Sequence, residues 1–111
     1  MGKPSDLLQG TLEMLVLRTL ENGPQHGWAI ARRIQQTSGD VLQVQQGSLY
    51  PALHRLERMG AVTATWRPSE TGRQARFYSL TPAGERRLEK ERAQWRRLSA
   101  AVDLVIEGAK A

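Results

Sequence analysis

Along the opening of the chain, apolar side chains return every three or four positions. Leu8, Leu12, Leu15 and Val16 form one stripe, and Leu7, Met14, Leu17 and Leu20 widen it. That spacing is helical, and so wide a face must be buried on more than one side. The pattern predicts a helix over residues 5–20, capped by Ser5 or Asp6 and stopped by Asn22-Gly23-Pro24, since glycine admits a left-handed turn and proline cannot continue the helix. A second helix over residues 26–37 turns Ile30 and Ile34 inward and ends at Ser38-Gly39-Asp40. Residues 41–44 read as extended. A third helix is predicted over residues 49–59, with Ser48 as its cap and Pro51 in the first turn, where a missing N–H does no harm. Leu49, Leu53 and Leu56 form its inward stripe, while the opposite face carries Ser48, Pro51, His54, Arg55 and Arg58, with Tyr50 at its flank.

After Gly60 the period changes from about 3.6 to 2, with Val62, Ala64 and Trp66 alternating against Thr63, Thr65 and Arg67. Residues 75–80 form a second β-rich run, and the polar residues 68–74 between them predict a hairpin with a basic tip. Thr81 caps and Pro82 opens a last helix reaching about residue 107. On it Leu88, Trp95 and Val102 stand seven apart, with Leu98 and Val105 between, a heptad-like stripe that Glu91 interrupts. The predicted fold is mainly α with a two-stranded β-hairpin, in the order α-α-α-β-β-α. Residues 1–81 form the folded domain and residues 82–111 a helical tail.

At 111 residues there is room for one compact domain. There is no cysteine, which excludes a disulfide framework, a thiolate metal site and a cysteine nucleophile. No apolar run is long enough for a membrane span, and Met1 to Gln9 lack the pattern of a secretory signal, so a cytoplasmic protein is expected. The formal net charge of +5 points to a polyanionic partner. Its distribution is more telling: Arg55, Arg58, Arg67, Arg73, Arg76, Arg86, Arg87, Lys90, Arg92, Arg96 and Arg97 outnumber the acids of the same half, Glu57, Glu70, Glu85, Glu89 and Glu91. Arginine forks match phosphates and guanine edges; the alternative reading of residues 86–97 is a solvated helix surface.

Three helices, a hairpin and a long helix are the order of a winged helix-turn-helix, in which the third helix enters the major groove of DNA and the hairpin reaches the flanking backbone. The chain resembles the PadR family of bacterial transcriptional regulators in residues 12–17 (LEMLVL), 26–30 (HGWAI), 47–57 (GSLYPALHRLE) and 72–81 (GRQARFYSLT), with Gly60 between the last two. The resemblance spans roughly residues 7–87. It implies a winged-helix dimer, held by its first and last helices, that represses by occupying an operator. It places Ser48, Tyr50, Pro51 and His54 on the DNA-facing helix, and Arg73 and Arg76 on the wing. Trp28 stands where the family more often has tyrosine, and Gln74 and Ala75 stand where it more often has basic residues.

The candidate DNA-binding residues are Gln46, Ser48, Tyr50, Pro51, His54, Arg55, Arg58, Arg73 and Arg76. Two readings stand for Tyr50, core edge or phosphate and base contact, and two for Arg55 and Arg58, groove contact or pairing with Glu57 or Glu70. A catalytic or metal role for His54 lacks partners, because His26 lies in another element and no nucleophile, base and orienting set can be assembled, so no enzyme is expected. The candidate dimerisation residues are Leu8, Leu12, Leu88, Trp95, Leu98, Val102 and Val105, because a domain of this size cannot cover the whole stripe. The other reading folds the last helix back on its own domain. In a dimer, two reading helices would address a palindromic site. Trp95 is also a candidate contact for a small aromatic effector between protomers, as in some members of the family, against the plainer reading of packing alone.

Overall fold

The computed structural model describes residues 4–108, with side chains from Thr11 onward. Four helices and three short strands follow in the order α1 (Pro4–Leu20), β1 (Gln25–His26), α2 (Gly27–Thr37), α3 (Gln46–Arg58), β2 (Val62–Pro68), β3 (Gln74–Leu80) and α4 (Pro82–Ile106). The cap expected at Ser5 or Asp6 and the dimer contact expected at Leu8 lie outside the described side chains.

The core forms where the periodic faces converge. Leu12, Val16 and Leu17 of α1, Ile30 of α2, Leu49, Leu53 and Leu56 of α3, Val62 of β2 and Leu88 of α4 are all shut off from solvent. The hairpin pairs Val62 with Leu80 at its base and Pro68 with Gln74 at its tip. A strand that the periodicity does not reveal, β1, pairs Gln25 with Tyr78 and His26 with Phe77, so the sheet has three antiparallel strands in the order β1-β3-β2. Two residues are too few to show a period of two.

α3 begins a turn earlier than its sequence suggests. Gln45 stands at the cap position with no side-chain cap bond, and its carbonyl accepts from the amides of Ser48 and Leu49. Ser48 is therefore inside the helix and is not its cap. Pro51 falls in the second turn, so the carbonyl of Gly47 receives no amide from four residues on. Residues 41–45 carry no regular element; the Leu42 amide donates to Ser38 Oγ, and Leu42 and Val44 pack against the core.

α4 is shared between two surroundings. Thr81 caps it, accepting from the Gly84 amide at 3.0 Å and donating to the Gly60 carbonyl at 2.6 Å. Gly84 and Leu88 are buried, so the first turns belong to the same packed unit as residues before 82. From residue 93 nearly every side chain is exposed. The helix runs on as an arm, and the radius of gyration, 15.6 Å, exceeds the roughly 13 Å of a compact chain of this length.

Candidate nucleic-acid interface

The outer face of α3 is built by the helix that buries Leu49, Ala52, Leu53 and Leu56. With those four inward, Gln46, Pro51, His54 and Arg58 are left exposed, and Ser48 and Tyr50 partly so. Tyr50 stands at the core edge and keeps one side open. Its ring packs over α2 so closely that a Cβ at Gly27 would stand 2.8 Å from the hydroxyl, yet 38% of the residue stays open to solvent. Gly27 is the residue that permits this approach.

Two arginines expected to face DNA are committed elsewhere. Arg55 turns toward α1, where its Nε donates to Glu13 Oε2 at 2.7 Å. The same carboxylate accepts from Arg87 of α4 at 3.3 Å, so Glu13 ties α1 to both α3 and α4. Arg76 crosses from β3 to α3 and donates from Nη2 to Glu57 Oε2 at 2.8 Å. Both guanidiniums are half-buried, and each is neutralised by its partner. They hold α3 in place and do not form part of its outer face. Arg58 and Arg73 are exposed, and among the described residues neither has a carboxylate within ion-pair distance. Tyr78 sits beneath this layer. Burial, the largest influence, pushes its hydroxyl pKa up; Arg76 opposes that, while Glu57 and Tyr50 add to it, so the phenol stays neutral.

The wing turns at residues 69–73. Its loop is closed by hydrogen bonds from the Ser69 amide to the Arg73 carbonyl (2.7 Å) and from the Gly72 amide to the Ser69 carbonyl (2.9 Å). Gly72 has a φ of +86°, which a side chain would strain, and the turn presents Arg73 at the exposed tip. Cations missed as site residues also stand near this surface. Arg67 lies over the Phe77 ring at 4.2 Å, and Arg32 lies over Trp28 at 5.0 Å. The second pair is spaced i, i+4 on a helix, a legible signal; the first needs the strand register.

The candidate dimer residues divide. Leu12 is 0% and Leu88 1% exposed, both filled by the chain's own core, so neither can meet a partner as expected. Trp95 (39%), Leu98, Val102 and Val105 (80%) are exposed on the free part of α4, and Leu104 and Ile106 are exposed beside them. Glu91, which interrupts the stripe, pairs with Arg87 at 2.8 Å where the helix leaves the domain. Its pKa is raised by burial first; Arg87 opposes the rise and Glu13 adds to it.

Comparison with known proteins gives this geometry a setting. The chain is 47% identical over 90 residues to an uncharacterised 37.1 kDa protein of transposon Tn4556 from Streptomyces fradiae, covering 81% of this chain but only 24% of that one. A PadR family transcriptional regulator from Eggerthella lenta superposes with a TM-score of 0.77 at 30% identity, covering 93% of this chain and 88% of that one. A PadR-like transcriptional regulator from Bacillus cereus does so at 0.78 and 25%, covering 94% and 99%. A model of the transcriptional regulator PadR-like family matches residues 16–90, from the C-terminal part of α1 to the docked turns of α4. With the winged-helix order, the basic wing and this match over most of its length, the chain belongs to the PadR-like family of transcriptional regulators.

Proposed function

We propose that this DNA-binding regulator, which is not an enzyme, acts in the cytoplasm as a homodimeric repressor of a palindromic operator. A small aromatic effector stacking on Trp95 between protomers releases it. Gln46, Ser48, Tyr50, Pro51, His54 and Arg58 meet the major groove and its edges, and Arg73 meets the flanking backbone. The observation that carries the reading is the uncovered apolar stripe of Trp95, Leu98, Val102 and Val105 on a helix that has left its own domain. Such a stripe is stable in water when a second copy covers it, and a two-fold pair of α4 helices sets two α3 helices on one duplex.

Selection of bound fragments from random duplex DNA tests this directly. Inverted repeats with half-sites about one helical turn apart are expected. Recovery of single, asymmetric sites, or no enrichment, refutes the dimeric reading. Transcription from a reporter carrying the recovered site should fall when the protein is present; a rise refutes repression. Flat aromatic compounds should quench Trp95 emission and lower operator affinity, and silence across a broad panel removes the effector.

A further inference from the structure

Five side chains from four elements form one continuous stack, from β2 of the wing to α2. Arg67 of β2 lies 4.2 Å from the centre of the Phe77 ring of β3. Phe77 meets His26 of β1 edge-on, with centroids 5.2 Å apart and planes at 87°. His26 stacks with Trp28 of α2 at 6.4 Å and 24°, and Trp28 carries Arg32 at 5.0 Å. Each end of the ladder is a cation. Its centre is fixed by the backbone, because His26 Nδ1 accepts from the Ala29 amide at 3.3 Å and so caps α2. Glu70 is the acid near it, 3.8 Å from His26 Nε2.

Both ends of the stack lie at the surface. Trp28 is 53% exposed, and Arg32 and Arg67 are exposed at the ends. The ladder flanks the reading face closely. Trp28 and Arg32 line an open cleft of about 440 Å³ whose lining also includes Gln46 of α3, and the Tyr50 hydroxyl rests on Gly27, between His26 and Trp28. On the wing, Arg67 pairs in register with Ala75, so it supplies a cation beside a neutral position on β3. Among the described residues neither Arg32 nor Arg67 has a carboxylate within ion-pair distance. A guanidinium lying against a ring keeps its charge and directs its N–H fork sideways, where an anion can accept from it, and less side-chain freedom remains to be lost on binding.

We propose that Arg32 and Arg67 are phosphate clamps at the two ends of this ladder, each preset by the aromatic ring beneath it, with Trp28 and Phe77 as positioning residues. The proposal rests on the DNA-binding reading and adds residues to it. Phosphate contacts are independent of base sequence, so a fluorescently labelled mixed-sequence duplex of about 30 base pairs suffices as probe, with affinity measured from about 50 to 200 mM salt. Arg32→Gln and Arg67→Gln should each lower the slope of log affinity against log salt by about 0.9. Trp28→Leu and Phe77→Leu keep both cations, so the slope should hold while affinity falls about two- to fivefold, and Trp28→Tyr should restore it. Thermal melts confirm that each variant is folded. If the wild type ignores the duplex at every salt concentration, the clamps fall together with the DNA-binding reading. If the wild type binds and both glutamine variants keep its slope, the clamps alone are overturned. An equal loss from Lys90→Gln on α4 also overturns them, because net charge would then explain everything.

Discussion

Gly84 offers a direct test of how α4 is docked. A Cβ there would lie 2.1 Å from the Ala61 carbonyl oxygen and 2.7 Å from Leu80 Cδ1. Carbon and carbonyl oxygen ordinarily approach to about 3.3–3.6 Å, so the helix and the Ala61 backbone must separate by about 1.2 Å to admit a methyl group. That movement is resisted by the hydrogen bonds that seat the helix. The Thr81 amide donates to the Ala61 carbonyl at 3.1 Å, and Thr81 Oγ1 bridges the Gly60 carbonyl and the Gly84 amide. Overpacking costs about 1–3 kcal/mol. Disturbing the cap adds about 1 kcal/mol, and alanine returns about 1 kcal/mol of helix propensity over glycine. The net expectation for Gly84→Ala is a loss of about 1–3 kcal/mol, or a melting temperature lower by about 5–20 °C. Far-ultraviolet circular dichroism at one fixed chain concentration measures it, since the proposed self-association would make the midpoint concentration-dependent. Gly47→Ala is the control: it also lies in a helix, but nothing stands within 4 Å of the added carbon, so stability should hold or rise slightly. A Gly84→Ala variant melting at or above the wild-type temperature would refute the close seating of α4 on the Ala61 corner.

Three further outcomes are expected. Arg58→Ala should lower the salt slope of duplex binding by about 0.9, whereas Arg55→Ala should leave that slope intact and lower the unfolding midpoint, because Arg55 is already held by Glu13. In the proposed dimer, Val102→Asp should leave a folded monomer in sedimentation and weaken operator binding by at least tenfold; a dimer that survives the change refutes pairing through the stripe. The raised pKa of Glu91 means that folding favours its protonated form, so its contribution to stability is fully present below the ordinary glutamate range and is lost as pH climbs through the raised value. Glu91→Gln should flatten that stretch of the stability profile, and an unchanged profile refutes the assignment.

Much of the fold was legible because burial imposes a period. The wide face of α1 and the inward leucines of α3 each stated which side would be covered, whereas the alternation in β2 holds at Val62 and Ala64 and fails at Trp66, which is 68% exposed where the wing extends past the core. Local chemistry marked the start of α4 correctly at Thr81 and Pro82. It misplaced the start of α3 because Pro51 favours a first turn, and the structure sets it in the second. The interface was less legible than the fold, since it depends on pairs distant in the chain. A helical wheel groups Arg55 with His54 and Arg58, yet its acid is Glu13, 42 residues away. Arg76 is likewise taken by Glu57 of α3. The heptad stripe of α4 was visible as a pattern, but what covers each position is decided by where the helix leaves the domain. Leu88 falls before that point and Trp95 after it.

One uninterrupted helix carries both the seated turns and the free arm, with no break between Pro82 and Ile106. Its two halves are therefore locked in phase. Adding one residue between Leu88 and Trp95 would swing the far end by about 100° and advance it by about 1.5 Å, re-aiming its greasy edge relative to the seated turns. Seven added residues, close to two full turns, would nearly restore the angle and lengthen the arm by about 10 Å. The arm is thus a ruler graduated in whole turns, and in the proposed dimer changes in its length would be tolerated only near those marks.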